Sequence, residues 1–80
     1  MLCRQQRRYE EAVDHILAAI KTDPDDARAY ANLGQAYLMK GDFAESAESF
    51  QKALSISPAL ESARVGLQRA MLEMQNRPRN

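Results

Sequence analysis

The sequence repeats itself at a fixed interval. Pro24 and Pro58 lie 34 residues apart, and the residues before each proline correspond in type. The corresponding pairs are Tyr9 with Phe43, Glu11 with Glu45, Ala12 with Ser46, Ile16 with Phe50, Ala19 with Ala53 and Ile20 with Leu54, and after the prolines Ala29 with Ala63, Leu33 with Leu67, Ala36 with Ala70 and Tyr37 with Met71. A period of this length carrying two helical patterns is typical of stacked helical arrays, which bind other proteins and rarely catalyse reactions.

Four segments carry apolar residues spaced three and four positions apart, as on one face of an α-helix. These residues are Tyr9, Ala12, Val13, Ile16, Ala19 and Ile20 in the first segment, Ala29, Tyr30, Leu33, Ala36 and Tyr37 in the second, Phe43, Ala47, Phe50, Ala53 and Leu54 in the third, and Leu60, Ala63, Leu67, Ala70, Met71 and Met74 in the fourth. Because only a few residues connect them, we expect consecutive helices to be antiparallel neighbours.

Short local signals predict where these helices end and begin. The residues before Pro24 and Pro58 are disfavoured in helical conformation, which ends the first and third helices. An aspartate after Pro24 then caps the second helix. Gly41 suits a left-handed residue after the second helix, and Asp42 suits the N-cap of the third. Asp42 and Glu45 also have the spacing of a reciprocal capping box.

Composition excludes several classes of function. The 80 residues form at most one small domain. Basic and acidic residues number 11 each, so charge gives no reason to expect nucleic-acid binding. The single cysteine, Cys3, excludes an internal disulfide, and no Cys/His cluster predicts a metal or cofactor. No apolar run is long enough to span a bilayer, and residues 1–4 hold no signal-peptide core, so we expect a cytoplasmic protein that does not bind membranes.

No grouping of side chains predicts catalysis. His15, the only histidine, stands beside Asp14 on an acid-rich flank and is interpreted as a solvated helix residue. The acidic run of Asp23, Asp25 and Asp26 lacks the spacing and glycine of a calcium loop. The three glycines are isolated within helices or turns and form no phosphate loop. We therefore expect that the chain is not an enzyme.

The central segment from Ala27 to Leu60 resembles a tetratricopeptide repeat. The residues that carry the resemblance are Tyr30, Leu33-Gly34, Tyr37, Gly41-Asp42-Phe43, Ser46, Phe50, Ala53 and Pro58. Gly34, Ser46 and Ala53 are small where two helices are expected to approach closely. Ser46 replaces the alanine usual in the family, and its hydroxyl can bond back to a carbonyl one turn earlier.

The resemblance implies an all-α fold of about four helices, in which antiparallel hairpins stack as a fragment of a right-handed solenoid. Residues 1–76 would form the repeat domain and residues 77–80 a polar tail. Within the domain, residues 26–60 would be one complete repeat, residues 1–25 the end of a preceding repeat with a stub of its first helix in residues 1–6, and residues 61–76 a capping helix. Arg64 and Gln68 replace the family's aromatic and glycine in this last helix, which suggests a polar outer face.

The resemblance also implies a concave groove for a peptide or partner helix. The partner-binding residues that carry over are Arg28, Asn32, Gln35, Met39 and Arg69, with Ala31, Leu38, Ser62, Val65 and Leu72 on the same helix faces. Asn32 matches an asparagine that some members use to bind a peptide's main chain or terminal carboxylate. The full carboxylate clamp needs basic residues where Ser62 and Gly66 stand, so we do not predict binding of chaperone tails.

The function predicted from the sequence is that of a protein–protein interaction module, acting as scaffold or adaptor. An alternative is self-assembly, since an array with few repeats leaves an apolar end that a homodimer would cover. A further alternative is a non-catalytic appendage of a larger enzyme. The partner in each case is a protein or peptide.

Overall fold

The structure is a computed structural model that describes residues 3–76. It consists of four helices: α1 (Cys3–Thr22), α2 (Ala27–Lys40), α3 (Phe43–Ile56) and α4 (Glu61–Asn76). No strand occurs among these residues, so the predicted all-α fold of four helices is confirmed. None of the four helices is both long and apolar enough to cross a bilayer. The tail predicted at residues 77–80 lies outside the described residues.

Helix α1 starts earlier than expected. It runs unbroken from Cys3 to Thr22, so the separate stub of a preceding helix predicted for residues 1–6 is wrong for residues 3–6. No glycine or proline stands between Cys3 and Thr22 to break the helix. Residues 1 and 2 lie outside the described residues.

The predicted ends of α2 are confirmed. The Asp26 carboxylate accepts a hydrogen bond from the Arg28 backbone N–H at 3.1 Å. At the other end, Gly41 adopts a φ of 95°, which favours glycine. The Gly41 and Asp42 N–H groups donate to the carbonyls of Leu38 at 3.2 Å and Tyr37 at 2.9 Å. These bonds satisfy carbonyls that the end of the helix would otherwise leave unpaired.

The capping box predicted at the start of α3 is wrong. Asp42 occupies the N-cap position, but its side chain makes no capping hydrogen bond. The Asp42 carboxylate lies 3.1 Å from the Lys40 ammonium instead, and Glu10 of α1 lies 3.9 Å from the same group. The hydrogen bond to Asp42 raises the pKa of Lys40, with smaller contributions from the charges of Asp42 and Glu10. The lysine thus competes with the α3 backbone for the aspartate.

The 34-residue interval of the sequence is reproduced in the backbone hydrogen bonds of the turns. The equivalent bonds are Asp23 N–H to the Ala19 carbonyl (3.0 Å) and Ser57 N–H to the Ala53 carbonyl (2.8 Å), then Asp26 N–H to the Asp23 carbonyl (3.3 Å) and Leu60 N–H to the Ser57 carbonyl (3.0 Å). Ser57, before Pro58, is extended, as predicted. The α1–α2 and α3–α4 connections are therefore two copies of one turn.

Helix α2 lies at the centre of the fold and contacts each of the other three helices, whereas α1 contacts α2 alone among the described helices. One buried cluster joins α2, α3 and α4 and comprises Ala27, Ala31, Phe50, Ala53 and Ala63. A second joins α1 to α2 and comprises Val13, Leu33 and Ala36. Tyr30 packs against both clusters. The fold is thus a stack of antiparallel helices without a single central core.

The Phe50 ring is held between two glycines. Its side chain is 1% exposed. A Cβ atom placed on Gly34 of α2 would lie 2.9 Å from three atoms of this ring, and one placed on Gly66 of α4 would lie closer still. Helices α2 and α4 therefore both pack closely against the Phe50 ring, each at a glycine that has no side chain to keep the ring away. The sequence predicts a close approach at Gly34, whereas no pattern in the sequence distinguishes Gly66 from an isolated helix glycine.

Ser46 joins the same contact with a hydrogen bond. It is 0% exposed, and its hydroxyl donates to the Gly34 carbonyl of α2 at 2.7 Å. The predicted bond to a carbonyl one turn earlier in α3 is therefore wrong. Because Gly34 has no side chain, the α2 backbone comes within hydrogen-bond reach of α3.

We expect Gly66→Ala to destabilise the chain although alanine favours helix over glycine by about 1 kcal/mol. The added methyl group collides with Phe50, and overpacking of this kind costs about 1–3 kcal/mol. Denaturant unfolding of Gly66→Ala, Phe50→Leu and the double variant measures the coupling. In the Phe50→Leu background, Gly66→Ala should become neutral or stabilising. Additive effects of the two substitutions would show that the ring is not what confines Gly66.

The aspartates at the two N-cap positions, Asp26 and Asp42, should differ in their contribution to stability. We expect Asp26→Ala to lower the free energy of unfolding by about 1 kcal/mol, because the bond to the Arg28 N–H is lost. Asp42→Ala should cost clearly less, because this carboxylate caps no helix. Thermal unfolding of the two variants side by side makes the comparison, and equal losses would contradict the assignment of the caps.

Candidate protein-binding groove

An open groove runs between α2 and α4, with a volume of about 730 Å³. Its wall on α2 is Gln35, Leu38 and Met39, its wall on α4 is Glu61, Ser62, Val65, Gly66, Arg69 and Glu73, and Phe43 from the start of α3 joins them. Gly34 of α2 and Gly66 of α4 both pack against the Phe50 ring, which brings the two helices side by side. The neighbouring side chains of α2 and α4 then form the two walls of the groove. We refer to it below as the α2–α4 groove.

Apolar side chains on both walls are open to water. Met39 of α2 is 57% exposed and Val65 of α4 is 61% exposed. Leu38 and Phe43 are half-buried beside them. Exposed apolar side chains that line one concave surface and have polar neighbours are typical of a protein-binding site.

Half of the residues that line the groove are polar or charged, and all of these but Glu73 are exposed. The Arg69 guanidinium lies 3.3 Å from the Glu73 carboxylate, four residues further along α4. An exposed ion pair of this spacing contributes little to stability, so both side chains can exchange partners when a ligand binds. The described part of the chain holds no group of three or more His, Cys, Asp and Glu side chains placed to hold a metal ion. The groove offers apolar contact and hydrogen bonding.

The structure brings together three of the five partner-binding residues predicted from the sequence. Gln35, Met39 and Arg69 line the α2–α4 groove. Arg28 and Asn32 line a different cleft, between α1 and α2, with a volume of about 410 Å³. On α2, Arg28 and Asn32 lie toward the N-terminus and Gln35 and Met39 toward the C-terminus, whereas Arg69 is on α4. Their role in binding stays a prediction.

Two residues expected on the groove face, Ala31 and Leu72, do not line the groove. Ala31 was expected on the groove face, but it is 6% exposed and packs in the cluster around Phe50. Ala31 shares this cluster with residues of both α3 and α4, so it packs against them and not in the groove. Leu72 is exposed but does not line the groove.

Sequence reasoning missed Phe43, Glu61 and Glu73, which also line the groove. Phe43 was assigned to the apolar stripe of the third helix, and no feature of the sequence shows that it reaches a surface at the turn after Met39. Glu73 could have been found from the sequence, because it stands four residues after Arg69 and can pair with it.

The helical hairpins, the repeated turns and the contact of Phe50 with the two glycines define a helical-repeat protein. The profile of the family described as tetratricopeptide repeat matches residues 4–61. The chain therefore belongs to the tetratricopeptide repeat family.

The chain is similar to parts of several larger proteins. It is 35% identical over 60 residues to an Hsp70-Hsp90 organizing protein of Triticum aestivum, and this stretch is 75% of the chain and 10% of that protein. It is 44% identical over 54 residues to an Hsp70-Hsp90 organising protein of Plasmodium falciparum, covering 68% of the chain and 21% of that protein. It is 34% identical over 59 residues to the small glutamine-rich tetratricopeptide repeat-containing protein 2 of Mycosarcoma maydis, covering 74% and 17%. The chain thus spans at most about a fifth of the length of these relatives.

Family and fold together assign the chain to the class of protein–protein interaction modules. The similarity extends to only a small part of each relative.

Proposed function

We propose that the chain binds a peptide segment or a helix of a partner protein in the α2–α4 groove and so acts as a scaffold or adaptor. The observation that carries the proposal is the exposure of Met39 and Val65 on the two walls of one groove. A ligand lying along the groove would contact both side chains at once.

Apolar contact in the groove would supply part of the free energy of binding. Complete burial of one side chain of the size of Val or Met contributes about 1.5–3 kcal/mol. Part of this gain is offset by the loss of translational and rotational freedom on association. Gln35 and the Arg69–Glu73 pair add hydrogen-bonding groups that can select the direction of a bound backbone.

The names of the relatives do not extend chaperone binding to this chain. Ser62 and Gly66 stand where a carboxylate clamp would need basic side chains. Gly66 moreover packs directly on the Phe50 ring, so a long side chain has no room there. We therefore propose a ligand held by apolar anchors, without a clamp for an acidic terminus.

Selection of a peptide library displayed on phage against the chain, followed by measurement of the selected peptides, tests the proposal. We expect Val65→Glu to weaken their binding at least tenfold, because a carboxylate replaces an apolar contact in the groove. Met71→Glu is the matched control: Met71 is also an exposed apolar residue of α4, but it lies outside the groove. It should leave the affinity within twofold of that of the unmodified chain.

Selected peptides that bind Val65→Glu and the unmodified chain equally well would contradict the proposal. So would a selection that yields no peptide while the far-ultraviolet circular dichroism shows a folded, helical chain.

A further inference from the structure

The charges that line the α2–α4 groove are not balanced. They belong to Glu61, Arg69 and Glu73 of α4, which leaves one net negative charge, although the whole chain has a formal net charge of zero. We propose that Glu61 selects ligands that carry a lysine or arginine close to an apolar residue. This inference rests on the proposed function and deepens it, because it concerns a ligand bound in the same groove.

Glu61 is the charged group of the groove that is available to a ligand. The Arg69 guanidinium lies 3.3 Å from the Glu73 carboxylate, so these two charges offset each other. The exposed Glu61 side chain forms neither an ion pair nor a hydrogen bond with another described residue. A cation of the ligand can therefore pair with Glu61 without displacing an existing partner.

The cation near the C-terminal end of α2 does not compensate for Glu61. Lys40, which follows the groove residue Met39, lies 3.1 Å from the Asp42 carboxylate and 3.9 Å from that of Glu10. The Lys40 side chain is only 23% exposed. Its charge is therefore already offset within the chain, and the net negative charge of the groove is left for a ligand to balance.

The position of Glu61 relative to Val65 sets the spacing expected in the ligand. Val65 stands four residues after Glu61 and is 61% exposed, so the two Cβ atoms are about 5–6 Å apart on one face of α4. Side chains two positions apart in an extended peptide lie on the same side, about 6–7 Å from each other. A basic residue two positions from an apolar residue in an extended ligand, or four positions from it in a helical one, can contact both.

A carboxylate in the first turn of a helix also stabilises that helix, because the helix N-terminus carries partial positive charge. Glu61 has this place in α4 and Glu45 has it in α3. Both side chains are exposed, but Glu45 lies outside the groove. Glu45 is therefore the matched control, because a contribution to helix stability is common to both residues and pairing with a bound ligand belongs to Glu61 alone.

The probes are the peptides selected on phage against the unmodified chain, synthesised in pairs with the selected lysine or arginine kept or replaced by glutamate. We expect Glu61→Lys to weaken binding of the basic peptide about tenfold, because an attraction is lost and a repulsion is gained. The glutamate peptide should bind Glu61→Lys more tightly than it binds the unmodified chain. Glu45→Lys should change both affinities less than about twofold. Met39→Ser should weaken both peptides, since it removes an apolar contact without changing the charge.

Two results would overturn the selection of a cation and leave groove binding intact. One is a set of selected peptides without a basic residue at the stated spacing. The other is a set that Met39→Ser weakens and Glu61→Lys does not. Equal losses in Glu45→Lys and Glu61→Lys would also overturn it, because the effect would then not come from the groove. Peptides insensitive to both Met39→Ser and Glu61→Lys, or a selection that yields no peptide, would contradict the proposed function as well.

Discussion

The contact of Phe50 with Gly34 and Gly66 is the constraint on which the rest of the structure depends. One ring, 1% exposed, fixes the distance of α3 from both α2 and α4. Neither glycine could carry even a methyl group without displacing that ring. Ser46 adds a hydrogen bond of 2.7 Å from α3 to the α2 backbone at the same point. The α2–α4 groove follows from this contact. Because α2 and α4 pack on the ring through their glycines, the side chains next to those glycines form the walls of the groove.

The chain holds two unequal copies of one packing unit. In the second copy, α2 packs beside α3 and α4 and encloses Phe50. In the first copy, His15 and Ala19 stand at the positions equivalent to Ser49 and Ala53, and both are exposed. The α2–α4 groove lies between helices that already pack together, so its walls present exposed apolar side chains to a ligand.

Local features of the fold could be predicted from the sequence, and features that depend on contacts between helices largely could not. The turns at Pro24 and Pro58 and the left-handed Gly41 are set by backbone chemistry within a few residues. The burial of Ala31 depends instead on how α2 is rotated against α3 and α4, which the helical period alone does not fix. Asp42 failed as a cap because Lys40 lies 3.1 Å away. Gly66 gave no local signal, since its partner ring stands 16 positions earlier in the chain.

The most direct test of the central claim is a nuclear magnetic resonance measurement of the two glycines. Protons held against the face of an aromatic ring are shifted upfield and give nuclear Overhauser effects to the ring protons. The contact of Phe50 with both glycines predicts upfield-shifted α-proton resonances for Gly34 and Gly66, each with Overhauser effects to the Phe50 ring. Gly41, where an added Cβ would meet no atom within 4 Å, should show neither. Ordinary α-proton shifts at Gly66 without an Overhauser effect to Phe50 would contradict the central claim, because the ring would then not join α3 to α4.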